Sequence, residues 1–536
     1  MKKSSNLIPV LFSLLFFVNC KQRVDKRIES EELKTDVSFS EEELYRPNFH
    51  FTPKANWMND PNGMFYYNGY YHLYFQYHPD DNVWGPMHWG HAISTDMISW
   101  TEQPIAIYPD KLGTIFSGSA VVDISNSSGL GEVSKATPIV AIYTNFKKLE
   151  GDDNSKQTQS IAFSNDEGRT FTKYENNPVI DNNNIKDFRD PKVTWDEERN
   201  KWVMSLAAGD KIMFYESKNL KDWNLLSDFG KGIGGHGGVW ECPDLFKLPV
   251  LGTDESKWVL FVSINPGGPN GGSATQYFIG DFDGTHFIID KEFEKRLNEE
   301  HNYWIDFGRD NYAGVSWSNV RTKDGGKLML SWMSNWDYAQ KVPTQKWRSA
   351  MTVARKVQLK KDNNGYRLFF SPVNELSKYR STKYKNENIK IKEETKLMAS
   401  EAIDLASTEI NFKISDLKKT VYTFKLSNKQ GDQLLFGYNH GNKTFFIDRS
   451  KSGQTAFSEK FANKPSTAVR TSSNDNLTGT ILLDKTSIEL FYDNGETVMT
   501  EIFFPNAPYE KLSITSENKE FILNSIEINK LNFNKS

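Results

Sequence analysis

Three carboxylates stand in settings that an ordinary surface acid does not need. Asp60 sits in Trp57-Met58-Asn59-Asp60-Pro61-Asn62-Gly63. Asp190 lies between Arg189 and Pro191, and Glu241 lies between Trp240 and Cys242, with Pro243 next. Cleaving a glycosidic bond with retention requires two carboxyl groups about 5–5.5 Å apart, one to attack the anomeric carbon and one to protonate the leaving oxygen. Taken singly, each site has a plainer account. An Asp before Pro, with Gly soon after, can be a turn. Asp190 beside Arg189 can be a salt-bridged turn, and Glu241 can be a buried structural acid. Its apolar neighbours Trp240 and Cys242 would raise its pKa towards that of a working acid.

Taken together and in order, the pieces point further. Trp57 to Gly63, Phe116-Ser117-Gly118-Ser119, Arg189-Asp190-Pro191 and Glu241-Cys242-Pro243 resemble glycoside hydrolase family 32, the family of invertases, inulinases and levanases. The resemblance takes in Gln76, Trp84 to His91 and Trp332 to Trp336, and reaches Asp484 to Glu489 near the end of the chain. It implies that Asp60 is the nucleophile, Asp190 the transition-state stabiliser, and Glu241 the general acid and then base. By the same resemblance Asn59, Gln76, Trp84, Phe116, Ser117, Arg189 and Trp336 line a pocket for terminal fructose. No cofactor or metal is expected, because the carboxylates supply both nucleophile and acid. Backbone N–H groups around Pro61-Asn62-Gly63 would keep Asp60 ionised, and Arg189 would orient Asp190. The chain departs from the family at Ile305 to Gly308, at Ser349 and at Val353 to Lys356, which bears on fine specificity.

Other chemistry is excluded on similar grounds. His88 and His91 have no third metal ligand at sensible spacing and are expected to be structural. Cys242 is expected to pack, or to tune Glu241 modestly, since no His lies nearby in sequence to activate it. The Gly-rich stretch Asn265 to Ser273 lacks the Lys-Ser/Thr ending of a phosphate loop. That stretch resembles exo-acting levanases and inulinases more than enzymes of phosphorylated sucrose. The expected function is therefore a retaining exo-β-fructosidase acting on levan or inulin and on sucrose. A sucrose-preferring invertase or a fructosyltransferase would use the same residues. A non-catalytic fructan-binding surface lipoprotein would not need them.

The elements that must position these residues are strands. Within 45–376, short apolar runs such as Tyr70 to Tyr77 and Trp258 to Ile264 alternate with turn clusters. A looser unit recurs: Ser94-Thr95-Asp96 leads to Trp100, Ser164-Asn165-Asp166 to Phe171, and Ser217-Lys218-Asn219 to Trp223. Gly280-Asp281 before Phe287 is a weaker copy. Roughly 320 residues at a period of roughly 50–70 gives about five propeller blades. The Lys-rich stretch 377–400 reads as a linker. Residues 401–536 alternate cleanly, as in Ile410, Phe412 and Ile414, and carry a hairpin signal at Asp493-Asn494-Gly495, which suggests a β-sandwich. The fold class is all-β: a five-bladed propeller followed by a sandwich.

A formal charge of −4, with no large basic block in the folded part, makes nucleic acid a poor partner and favours a neutral polymer such as a fructan or its oligosaccharides. Lys2 and Lys3 precede the apolar run Leu7 to Val18, which ends at Cys20. That run has the length of a signal-peptide core and resembles a bacterial lipoprotein signal over 1–20, with Cys20 lipidated. Residues 21–44 read as a charged tether, so the membrane is met through the lipid anchor only, with an outer-membrane site weakly preferred. The oligomeric state is left open. Replacing Cys20 (Cys20→Ser) should move the protein from the membrane to the soluble fraction on cell fractionation; continued membrane retention would identify a different anchor.

Overall fold

The structure, a computed structural model, describes residues 44–132, 137–149, 155–182, 184–320, 322–362, 365–397 and 404–533. The signal-type segment with Cys20, and the tether up to residue 43, lie outside these.

Five antiparallel sheets form the blades of a propeller. Their first strands are Asn56–Tyr67, Thr114–Val122, Phe188–Asp196, Val239–Pro249 and Tyr312–Ser316. Each packs on the next until the fifth meets the first, so these are the inner strands of a closed ring. Trp347–Arg348, beyond the second strand of blade five, pairs in parallel with Asn56 and Trp57 of blade one. The Met351 N–H donates to the Phe51 carbonyl at 2.9 Å beside it. The largest side chains in the interior are aromatic, with Trp57, Trp89, Trp240, Trp317 and Trp332 fully buried.

The recurring Ser-x-Asp unit is the turn between the third and fourth strands of a blade. Ser94 Oγ accepts the Asp96 and Met97 N–H groups, and Asp96 accepts from Ile98 and Ser99. Ser164 with Asp166 and Ser217 with Asn219 repeat this in blades two and three. In blade four the turn residue is Asp283, which accepts from Thr285 and His286, and not Asp281. Short side-chain acceptors satisfy the turn's backbone donors locally, which is why one residue pattern serves three of the turns and a lone Asp the fourth.

Two six-stranded sheets make the sandwich. Ile410, Phe412 and Ile414 all point into its core. Asp493–Gly495 joins Ser487–Tyr492 to Thr497–Ile502, with φ of 59° at Asn494 and 88° at Gly495. The stretch 377–400 corrects the sequence reading. Arg380–Ile391 is not linker but an edge strand, paired along its length with Phe521–Leu531. Its side chains are mostly exposed, so it has no apolar period to reveal it, and its lysines discourage further pairing at the edge.

A cluster of buried ions joins the domains. Arg355, in blade five, donates to Glu489 at 3.1 and 2.5 Å, to Asp306 at 2.8 Å and to Thr500 at 2.7 Å. His50 bridges Asp484 at 2.9 Å and Glu489 at 2.8 Å. The departures around Asp306 and Arg355 therefore fall at the domain joint rather than in the pocket. Burial alone would lower the His50 pKa, but hydrogen bonds and charge from Asp484 and Glu489 win and raise it to about 9. A raised His pKa contributes stability that is full below the unfolded value near 6.5 and is lost as pH rises through about 9. Thermal unfolding should show a midpoint that falls between pH 7 and about 9.5 in the parent protein. A His50→Gln variant should start lower and fall less; equal slopes would rule out this linkage.

Candidate active site

All five inner strands carry a β-bulge near their first residues. In each, two residues face a single residue of the neighbouring strand: Asn59 and Asp60 opposite Gln76, Phe116 and Ser117 opposite Thr144, and Asp190 and Pro191 opposite Leu206. Cys242 and Pro243 face Val262, and Ala313 and Gly314 face Ser331. A bulge interrupts the ladder and re-aims side chains. Pro61, Pro191 and Pro243 stand at or next to three of these bulges; proline lacks the N–H that an unbroken ladder needs. Asp190, Cys242 and Ala313 adopt positive φ of 65°, 47° and 53°. The sequence signals that could be read as turns are thus breaks in inner strands. They lie at the same end of all five.

The bulged ends surround a pocket of about 340 Å³. Every sequence-predicted residue lines it: Asn59, Asp60, Gln76, Trp84, Phe116, Ser117, Arg189, Asp190, Glu241 and Trp336. Also present are Phe146, Ser155, Gln157, Asp187, Val239 and Asn265, which sequence reasoning did not assign to the pocket. Phe116 stacks on Phe146 at 4.6 Å, and Trp84 meets Phe116 edge-on at 6.1 Å. Trp336 stacks on Trp57 at 5.8 Å, and the Trp57 indole donates to Asn59 Oδ1 at 2.7 Å.

Asp60 Oδ2 accepts the Ser117 hydroxyl at 2.7 Å, while Oδ1 has no protein partner. Burial, then the charge of Glu241, raise its pKa to about 6, against the hydrogen bond from Ser117. Ser117 thus takes the main part that the sequence reading gave to backbone N–H groups, because the motif is a strand and not a turn. Asp190 Oδ2 accepts the Cys242 N–H at 3.0 Å. Burial raises its pKa as well; Arg189 opposes this, while Glu241 and Asp60 add to it.

Two further expectations change. Arg189 does not hold Asp190 by contact: it pairs with Asp187 at 2.7 Å and with Glu241 at 3.1 and 3.0 Å. The bulge brings both side chains to the pocket but turns Asp190 towards the Cys242 N–H and leaves Arg189 beside Asp187 and Glu241. Glu241 does not sit among Trp240 and Cys242 either. Trp240 points into the core, with its indole on the Gly235 carbonyl at 2.8 Å. The partners of Glu241 are Arg189 and the Tyr312 hydroxyl. Burial, then the Glu241 charge, push the Tyr312 pKa well up, so the phenol keeps the proton it donates. Tyr312 had no motif to mark it, only its place at the start of the fifth inner strand. The Cys242 thiol, raised mainly by burial, lies 3.7 Å from Asp60 and 3.6 Å from Asp190, so it touches both aspartates and not Glu241. His91 is buried against His72 at 3.1 Å, whereas His88 bonds the Pro86 carbonyl.

Three carboxylates with different partners thus converge in one pocket of a propeller, an arrangement that can separate the roles of nucleophile and acid. The comparisons agree and go further. Residues 50–372 match the N-terminal domain of glycosyl hydrolases family 32, and residues 375–530 match that family's C-terminal region. The chain is 47% identical over 498 residues to a levanase of Bacillus subtilis, covering 92% of this chain and 72% of that protein. The crystal structure of exo-inulinase from Aspergillus awamori superposes with a TM-score of 0.83 at 34% identity, covering 92% of this chain and 99% of that one. A β-fructofuranosidase of Schwanniomyces occidentalis complexed with fructosyl-erythritol gives 0.81 at 36%, covering 93% and 100%. The chain belongs to glycosyl hydrolases family 32.

Proposed function

We propose that the protein is a retaining exo-β-fructosidase that removes terminal fructose from fructans, levan or inulin, and from sucrose. The observation that carries this is the pocket in which Asp60, Asp190 and Glu241 meet. The names of the levanase and β-fructofuranosidase relatives support the sugar.

Asp60 attacks the anomeric carbon of the fructosyl unit. With a pKa of about 6 it is largely ionised at neutral pH, and the Ser117 hydrogen bond to Oδ2 holds the carboxylate in place. As the glycosidic bond breaks, the proton of Glu241 passes to the leaving oxygen, so that the leaving chain departs as a neutral alcohol. Glu241, now a carboxylate, takes a proton from water as that water attacks the fructosyl ester, which frees fructose and restores both groups. Arg189 and Tyr312 hold Glu241 in place through this change of role. Asp190, fixed by the Cys242 N–H, accepts sugar hydroxyl hydrogen bonds that strengthen as the oxocarbenium ion develops. The signal-type amino terminus supports action outside the cytoplasm, on a lipid anchor, where polymer is met.

The test is a time course of products from levan, inulin and sucrose, resolved by chain length. Fructose alone from the earliest points is expected, with the faster polymer naming the preferred linkage. A ladder of short oligosaccharides would mean endo cleavage and would overturn the exo reading.

A further inference from the structure

The Gly-rich loop between Ser256–Asn265 and Ala274–Phe282 of blade four connects two places. One end belongs to the pocket, which Asn265 lines. The Ser273 hydroxyl donates to Asn265 Oδ1 at 3.2 Å and accepts the Trp336 N–H at 3.1 Å. Asn335 clamps the loop from behind, donating to the Gly271 carbonyl at 3.3 Å and to the Arg309 carbonyl at 2.7 Å. Gly272 lies so close that an added Cβ would stand 2.1 Å from Asn335 Oδ1, and its φ is 68°.

The other end belongs to the sandwich. Asn270, 5% exposed, sits at the tip of the loop. Its Nδ2 donates to the Phe307 carbonyl at 2.6 Å and to the Thr467 carbonyl at 2.9 Å, while its Oδ1 accepts the Thr467 N–H at 2.9 Å. Thr467 lies in Ser466–Val469, the outermost strand of the second sandwich sheet. One side-chain amide therefore takes both backbone groups of an edge-strand residue, as a further strand would. All its polar atoms are used, and none of its bonds is needed to close the loop itself. The Gly267, Gly268 and Gly271 N–H groups already do that, at 3.0, 2.9 and 3.0 Å.

We propose that Asn270 is a positioning residue through which the sandwich domain sets the pocket wall formed by Asn265 and Trp336, and so sets the affinity for the fructoside. The inference rests on the functional reading above for its substrate. The bonds run without a gap from Thr467 through Asn270 and the loop to Ser273, and from there to Asn265 and to the Trp336 backbone. Neither Asn265 nor Trp336 is one of the three carboxylates. Loosening this wall weakens binding of ground state and transition state together, which appears in KM and leaves kcat nearly unchanged.

Two variants test it, with sucrose as substrate and at temperatures well below unfolding. Asn270→Ala should raise KM by about tenfold with kcat within about threefold of the parent. Thr467→Pro removes the sandwich's N–H at an edge position that tolerates proline, and it should raise KM in the same direction. It also serves if Asn270→Ala does not fold. Hydrogen exchange should quicken over 265–273 and 335–336 in both variants, a readout that does not depend on which sugar is cleaved. Lower melting temperatures with unchanged KM would reduce Asn270 to a structural tie and overturn the proposal. A KM shift in Asn270→Ala without one in Thr467→Pro would show that the Thr467 N–H is not needed to hold the loop, and the sandwich's part as proposed would fall. Parent protein that turns over no fructoside would refute the functional reading instead, and unchanged exchange in the loop would still refute this one.

Discussion

The break in the inner strands is the constraint on which the rest depends. A regular strand sends alternate side chains to opposite faces, so consecutive residues cannot both serve one pocket. At the mouth of this propeller, Asn59 with Asp60, Phe116 with Ser117, and Arg189 with Asp190 do so. Each pair contains at least one residue of a two-against-one bulge, which abandons the alternation locally. The interior then charges for the arrangement. Three carboxylates converge with limited access to water, and Asp60 and Asp190 answer with raised pKa values. Arg189 supplies the positive charge that makes the cluster tolerable, bonding Glu241 directly and acting on Asp190 through space.

The sandwich bears on this arrangement from outside the ring. Its Glu489 grips the propeller at Arg355, its Thr500 bonds Asp306, and Arg449 of the sandwich reaches Asp310 at 2.5 Å just before the fifth inner strand. Tyr312 follows two residues later and donates to Glu241. The domain joint and the partner of Glu241 thus share one short segment. Such buried pairs are weak evidence for net stability, but removing one member leaves a charge without compensation, so the joint tolerates little change.

Much of the site was legible because its residues break local rules. Asp60, Asp190 and Cys242 each precede a proline, which marks places where a ladder cannot run on, and the three marks recur in order along the chain. Blade count was legible through the spacing of the Ser-x-Asp/Asn turns of three blades, set against the length of the strand-rich region. What stayed hidden is what depends on partners distant in sequence. Tyr312 meets Glu241 across 71 positions, and no proline marks the bulge beside it at Ala313 and Gly314. The partner of Arg189 was misassigned because adjacency in sequence suggested Asp190, whereas strand geometry gives it Glu241. Arg380–Ile391 reads as linker in the sequence because an edge strand with mostly exposed side chains carries no apolar period.

The central claim is that these bulges aim Asp60 at the anomeric carbon. It is tested most directly by trapping the covalent intermediate. A Glu241→Ala variant, treated with a β-fructoside bearing an activated leaving group that needs no protonation, should accumulate a fructosyl ester, because the water that would cleave it has lost its base. Peptide mass spectrometry after rapid acid quench should place that adduct on Asp60. An adduct on another residue, or fructose released with no adduct at any time while Asp60→Ala turns over at a near-normal rate, would contradict the account.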